Sequence, residues 1–464
     1  MQTDRIAQLD TIAAISTPPG KGGVAVIRIS GCDAIGVAEK CFRPKSGAAA
    51  SALPSRTAIY GEILSSGVCI DDGILTLFRA PHSYTGEDTA EISCHGGRLI
   101  QTKVLEGLFA AGARPAGPGE FTKRAVLNQR LALSEAEAIG ALIDAETDAQ
   151  LRLSAKDSRS LLTKRLEEIT GELLRILSVH FADFDFPDED PVDSSVKTTL
   201  KWLRAVKGEI DSLVDTYPTG RAVSEGIRAV LLGRPNVGKS SVYNALVGED
   251  AAIVTPHAGT TRDVLEKRIS IGPVLVELSD TAGIRESADP IEQLGVARSR
   301  ARLADADLQL VVLDRSEGLR GEDLELLDLV KESGKTPILL LNKSDLPPAF
   351  SKEDLPKELS NVIECSAESG LGIDALGELI VRLFCDSALS IGETAIVTTA
   401  RQMASLREAS DCLAEAIFDF ANDVPTDAAV SGVERALSAV MKTSGRLVTE
   451  EVVDTIFKSF CVGK

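Results

Sequence analysis

The chain is short of aromatic residues, positive charge, long apolar runs and paired cysteines, and each shortage excludes something. Aromatic side chains make up 4% of 464 residues and Trp202 is the single tryptophan, which suits Ala/Leu-rich helices better than a β-sandwich. The formal net charge is −19, so the basic footprint of a protein that holds nucleic acid by charge is missing. Any RNA contact must then be local or supplied by a partner. No apolar stretch approaches the roughly 18 residues that span a bilayer. The opening "MQTDRIAQLDTIAAIS" carries early acids and no long apolar centre, unlike a secretion signal. Cys32, Cys41, Cys69, Cys94, Cys365, Cys385, Cys412 and Cys461 are scattered, with no C-x-x-C pair and only His95 adjacent to one of them. That pattern predicts reduced thiols in a cytoplasmic protein, not a disulfide framework or a zinc site.

What is present is length and three successive textures. A chain of 464 residues is too long for one compact core, so two to four domains are expected. Residues 1–124 mix β-like runs ("GGVAVIRIS", "GILTLFRA", "TAEISCH") with Gly/Pro turns and one helix, "LIQTKVLEGLFAAGA", which predicts an α+β domain. Residues 125–220 carry apolar residues at three- and four-residue steps, interrupted by the acidic run "DFDFPDEDP", which reads as a solvated loop. Residues 221–387 alternate the buried strands "IRAVLLG", "VLVELSD", "LQLVVLD" and "PILLLNK" with helical segments, a doubly wound α/β pattern. Residues 388–464 turn helical again. Two helical stretches around one α/β domain predict a multidomain α/β protein in which a nucleotide-binding domain is inserted into a discontinuous all-α domain.

The α/β stretch carries a nucleotide site. "GRPNVGKS", Gly233 to Ser240, follows a strand and precedes a helix, the context a phosphate loop requires. Backbone N–H groups of Asn236, Val237, Gly238 and Lys239, with Ser241 beyond, would cradle phosphate at a helix start. Lys239 would neutralise phosphate oxygens, and Ser240 would hold Mg²⁺. "GTTRD" places Thr260 and Thr261 where a switch threonine can reach Mg²⁺, Thr261 being the Mg²⁺ candidate, and "DTAG" brings Asp280, Thr281, Ala282 and Gly283 from a strand end towards phosphate. "NKSD" supplies Asn342, Lys343 and Asp345, whose carboxylate can accept from guanine N1–H and the 2-amino group, neither of which adenine offers in that form. "CSAESG" adds Ser366, Ala367 and Glu368 near guanine O6. This set specifies GTP over ATP. Ras-type GTPases follow Asp-x-x-Gly with a water-orienting glutamine, and here Ile284 stands in its place.

These motifs, together with "STPPGKGGVAVIRISG", "PHSYTGEDTAEISCHGG", "PGEFTKRAVLNQRLALSEAEAIGALIDA" and the terminal "FCVGK", closely resemble the MnmE (TrmE) family of tRNA-modification GTPases across the whole chain. Most members end Cys-Ile-Gly-Lys, so Val462 is a small departure. The resemblance implies a folate-binding N-terminal domain that dimerises, a two-part helical domain and an inserted Ras-like GTPase domain. It implies formation of a carboxymethylaminomethyl or aminomethyl group at C5 of the wobble uridine of certain tRNAs. The one-carbon unit would come from 5,10-methylene-tetrahydrofolate, and an FAD-carrying partner, MnmG, would join the homodimer in a heterotetramer or larger complex without DNA or membrane. Folate contacts would be Arg28, Glu87, Arg130 and Lys464, cations suiting the folate carboxylates and a carboxylate its pterin donors. Cys461 would lie where folate and tRNA chemistry meet, as a thiolate able to add to a uracil ring. His95 at a strand end reads as a structural donor.

By the same resemblance Ile284 is compensated. Asn236 matches the position that holds K⁺ in potassium-dependent GTPases, with Thr255, His257 and Thr260 completing the shell and Pro256, Ala258 and Gly259 lining the same GTP-binding loop. The cation would stabilise transition-state charge, and Glu292 would orient the attacking water. Two other readings stand beside this one: a ribosome-assembly-type GTPase, disfavoured by the missing basic module, and a folate-dependent one-carbon transferase with a vestigial GTPase, disfavoured by the intact nucleotide motifs.

Overall fold

The computed structural model describes residues 10–185, 195–248, 266–280, 305–386, 389–422, 424–445, 456–457, 460 and 462–463. The chain forms two compact units, Met1–Gly140 with Met441–Lys464, and Ala141–Val440.

The first unit is built on a seven-stranded sheet: β1 (Ile12–Ile15), β2 (Val24–Ser30), β3 (Phe42–Pro44), β4 (Ala58–Ser65), β5 (Val68–Phe78), β6 (Thr89–His95) and β7 (Arg114–Pro115), in the order β3-β4-β5-β6-β2-β1-β7. Alternation along β2 buries Ala25, Ile27 and Ile29 and sends Arg28 to the other face. The buried face packs under α1 (Ala34–Cys41) and α2 (Arg98–Ala110) around Ile92, Leu75, Val104 and Leu108. Helix α3 (Glu120–Leu127) follows, and α4 (Leu133–Ile143) sets Leu133 and Ala136 against Phe457. One helix is expected before residue 124; among the described residues α1 and α2 lie there and α3 begins there. α1 and α3 are eight residues each, too short for a periodic signal to stand out.

The second unit joins a helical core to an α/β sheet. α5 (Asp148–Ser154), α6 (Lys156–Asp185), α7 (Val196–Asp215) and α8 (Tyr217–Ser224) precede the sheet. The sheet strands are β8 (Ile227–Leu232), β9 (Glu266–Ile271), β10 (Val274–Asp280), β11 (Leu308–Asp314), β12 (Thr336–Asn342) and β13 (Val362–Glu364), ordered β13-β12-β11-β8-β10-β9. Every residue of β11 is buried, as a strand covered on both faces must be. α9 (Lys239–Val247), α10 (Gly321–Glu332) and α11 (Ile373–Phe384) supply that cover. β9 runs antiparallel at the edge. Its sequence "EKRISI" opens with three charged residues before Ile269 and Ile271 and does not look like the buried strands beside it.

Beyond the sheet come α12 (Ala400–Ala421) and α13 (Thr426–Thr443). α7 buries Thr199, Leu203, Val206, Ile210 and Leu213, and α12 buries Leu406, Ala409, Leu413, Ala416 and Phe420, each at alternating three- and four-residue steps. The two stripes meet in one core with Leu166, Ile169, Leu173 and Val433. Segments on either side of the sheet therefore share a core, and Asp211 of α7 accepts from Ser410 of α12 across it.

Candidate functional site

The described nucleotide motifs lie at the C-terminal ends of β8, β10 and β12 in the second unit's sheet. β8 ends into Gly233, whose φ is +146°, and a Cβ there would lie 2.4 Å from the Val312 carbonyl of neighbouring β11. Asn236 follows at φ +66° and Gly238 at +95°, so the loop turns back on itself before α9 begins at Lys239. Lys239 Nζ donates to the carbonyls of Gly233 (2.7 Å) and Arg234 (2.8 Å), folding its cation over the loop. Ser240 and Ser241 are exposed in the first turn of α9. Asp280 closes β10 with its backbone in register with Leu231 of β8, two residues before the phosphate loop begins at Gly233.

The "NKSD" and "SAES" turns are tied to that loop by one side chain. Asn342, at the end of β12 and 3% exposed, donates from Nδ2 to the Val237 carbonyl (2.9 Å) and accepts at Oδ1 from the Ala367 amide (3.1 Å). Ser366 is buried and pairs with Leu371, and Ser369 donates to the Ser366 hydroxyl, so the "SAES" turn is held from both sides. Asp345 and Glu368 are exposed. Lys343, at φ +61°, sends its ammonium to the buried Asp314 carboxylate. Burial disfavours the charge on Asp314, but hydrogen bonds from Lys343 and Ser316 outweigh it and hold the carboxyl below its ordinary range.

The loop is also anchored from behind. Arg234, 7% exposed, donates from Nε to Asp323 (2.8 Å), itself 2% exposed at the start of α10. Asp323 in turn accepts from the Arg320 amide. Sequence reasoning did not single out Arg234, Asp323 or Asp314; each has an ion-pair partner 29 or more residues away. Thr255, Pro256, His257, Ala258, Gly259, Thr260, Thr261, Thr281, Ala282, Gly283, Ile284 and Glu292 lie outside the described residues.

In the first unit, Arg28, Glu87 and Arg130 gather around the segment Ser83–Glu87. The Arg28 guanidinium lies over the rings of Tyr84 (5.0 Å) and Phe121 (5.7 Å) and pairs with Glu91 at 2.9 Å. Glu87 accepts from Ser30 (2.8 Å) and from Arg124 (3.2 Å). Arg130 Nε donates to the Ser83 carbonyl (3.3 Å), and its stem packs against Gly86, whose φ is +80°. Arg124 is buried and bridges Glu87, Asp10 and Glu120. The i,i+4 pair Glu120–Arg124 was the only local trace of this network in the sequence. The last described residues also dock here: Val462 pairs with Pro118, and the Gly463 carbonyl accepts from Ser16 (2.9 Å). Cys461 and Lys464 lie outside the described residues.

His95 is exposed and its Nδ1 meets Asp71 at 2.8 Å, while its backbone amide donates to the same carboxylate at 2.9 Å. The hydrogen bond to Asp71 raises the imidazole above its ordinary value. That is a strand-end structural pairing. Among the described residues no group of three His, Cys, Asp or Glu is placed to hold a metal, and no helix is long and apolar enough to cross a membrane.

Comparison with known proteins decides the family. The description "GTP-binding protein TrmE N-terminus" matches residues 11–130, and "MnmE helical domain" matches residues 133–461. The chain belongs to the MnmE family. A relative from Symbiobacterium thermophilum, "tRNA modification GTPase MnmE", is 42% identical over 461 residues, covering 98% of this chain and 99% of the relative. The Bacillus subtilis protein of the same name is 39% identical over 462 residues, covering 98% and 100%. A solved structure of Aquifex aeolicus Era is 26% identical over 40% of this chain and 66% of that one, with a TM-score of 0.27. The fold assignment rests on the sheet order above and not on that overlap.

Proposed function

We propose that the chain hydrolyses GTP in the service of tRNA modification. The observation that carries this is the Asn342 amide, which joins the phosphate loop to the guanine-recognition turn in a chain that belongs to the MnmE family over its whole length. The proposed domain division is 1–124, 125–220, 221–387 and 388–464, supported by β8 opening at Ile227 and α11 closing at Phe384.

In the finer reading the GTP site uses Asn236 to Ser241, the 255–261 segment, Asp280 to Gly283, Asn342, Lys343, Asp345 and Ser366 to Glu368. Lys239 counters phosphate charge. The hydroxyl of Ser240, exposed at the start of α9, and the strand-end Asp280 provide hard oxygen donors of the kind Mg²⁺ takes, with Thr261 as a further ligand. Asn236, exposed in the turn of the loop, offers an amide oxygen to K⁺, with Thr255, His257 and Thr260 completing the shell. The bound K⁺ supplies charge stabilisation, and Glu292 orients water. Folate, as a methylene-tetrahydrofolate, is held by Arg28, Glu87, Arg130 and Lys464. The half-buried Tyr84 ring beneath Arg28, backed by buried Phe121, suits a flat heterocycle, and the ionic cluster about Glu87 suits its polar edge. Cys461 is the candidate thiol. The product is a carboxymethylaminomethyl or aminomethyl group on the wobble uridine, made by a cytoplasmic homodimer with an FAD-dependent MnmG partner.

The test is reconstitution with the flavoprotein, GTP, methylene-tetrahydrofolate and unmodified tRNA, followed by mass spectrometry of the nucleosides. Modified wobble uridine is expected only when GTP is hydrolysed, and turnover should be much faster in K⁺ than in Na⁺. Modification without GTP would overturn the GTPase role, and equal rates in the two salts would remove the potassium site.

A further inference from the structure

β11 and β12 end side by side, with Asp314 directly opposite Asn342 in the register. The two strand-end side chains divide the labour. Asn342 ties the phosphate loop to the "SAES" turn. Asp314, with its side chain 3% exposed, gives one carboxylate oxygen to the Lys343 ammonium and accepts at the other from the Ser316 amide (3.0 Å) and hydroxyl (2.6 Å). Both carboxylate oxygens are thus engaged and the group cannot rotate.

Lys343 stands in the left-handed region, a position that a residue with a long side chain occupies only under constraint. The constraint is present on both sides: the Arg315 amide donates to the Asn342 carbonyl, and the Ser344 amide donates to the Cys365 carbonyl. With the ammonium clasped, the lysine side chain is still 34% exposed, between the Asn342 junction and the exposed Asp345. The phosphate-loop carbonyls do not need this cation, because Lys239 already serves those of Gly233 and Arg234.

We infer that Asp314 is a positioning residue of the guanine subsite: by clasping the Lys343 ammonium it fixes the lysine stem as a shelf for the purine face. It thereby sets guanine-nucleotide affinity without touching the nucleotide. An unclasped lysine stem has several rotatable bonds whose freedom is lost when a base settles on it; the clasp removes that loss beforehand. Ser316 completes the device by orienting the carboxylate. This rests on the guanine-site reading given above.

The experiment is a double-mutant cycle on the full chain, reading the Kd of fluorescent mant-GDP for wild type, Asp314→Asn, Lys343→Met and the double variant. Each single change is expected to raise Kd about tenfold, the worth of a charge-assisted hydrogen bond, with the double variant no weaker than either single one. For Asp314→Asn, the kcat at saturating GTP is expected to stay within about twofold while KM rises with Kd, since the interaction serves binding of ground and transition states alike. Asp314→Asn with wild-type affinity, or a double variant about a hundredfold weaker as independent effects would give, overturns the inference. If Asp314→Asn does not fold, Ser316→Ala paired with Lys343→Met reads the same coupling, with additivity again the overturning result. A wild-type chain that fails to prefer mant-GDP to mant-ADP overturns the guanine site itself. A selective wild type with additive variants overturns only the role of Asp314.

Discussion

Replacing Gly238 by alanine tests the geometry on which the whole nucleotide site depends. A Cβ at this position would lie 2.3 Å from Asn342 Nδ2, and the backbone φ of +95° is one that alanine rarely adopts. Three costs follow. The left-handed backbone costs about 1 kcal/mol. Displacing the Asn342 amide breaks its bonds to the Val237 carbonyl and the Ala367 amide, worth about 1 kcal/mol each. A free loop can relax to avoid the clash, but a nucleotide requires the loop in its cradling form, so the sum of about 3 kcal/mol appears on binding as a loss exceeding a hundredfold. Titration with mant-GDP measures it. Asn342→Ala alone should lose most of the affinity that the amide supplies. In that background Gly238→Ala should add only the backbone cost, about fivefold. A Gly238→Ala chain that binds GDP within threefold of wild type, or one whose loss is undiminished in the Asn342→Ala background, would refute the reasoning.

Three further outcomes are expected. Arg234→Met strands the buried Asp323 carboxylate, so hydrogen exchange in α10 should report a local loss of about 3 kcal/mol, largely recovered when Asp323 is also made apolar. Gly86→Ala places a Cβ 2.9 Å from the Arg130 stem at a φ of +80°; it should weaken methylene-tetrahydrofolate binding severalfold in equilibrium dialysis while leaving mant-GDP affinity unchanged. The His95 imidazole should titrate above 6.5 by NMR and return towards that value in Asp71→Asn. Because the folded pKa is the higher one, the pairing stabilises fully below 6.5 and fades as pH rises through the folded value.

The candidate nucleotide site was legible because its motifs are contiguous. A phosphate loop and an "NKSD" turn are single stretches of backbone that follow strands, and the strands themselves are continuous apolar runs that no solvent-facing element tolerates. The helical core was equally open, since α7 and α12 write their buried stripes directly at helical spacing. What stayed hidden is of another kind. Arg124 with Asp10, and Arg234 with Asp323, are side chains from distant segments whose partnership exists only after folding. β9 escaped because an edge strand is half solvated and therefore chemically mixed, and α1 because two turns of helix carry too little period to distinguish from a turn-rich loop.

The strand order of the second sheet is also a measure of length. In the proposed site the base-recognising residues close or follow β12 and β13, and the phosphate-binding ones close or follow β8 and β10. One strand, β11, separates the two pairs, so β12 and β8 stand two inter-strand spacings apart, about 10 Å. Hydrogen bonding between strands fixes that interval, and no loop conformation can stretch it. Under that proposal the sheet acts as a gauge cut to a nucleoside polyphosphate: a bare guanosine would reach one end, inorganic phosphate the other, and only a molecule carrying both at the correct separation would engage the two ends at once.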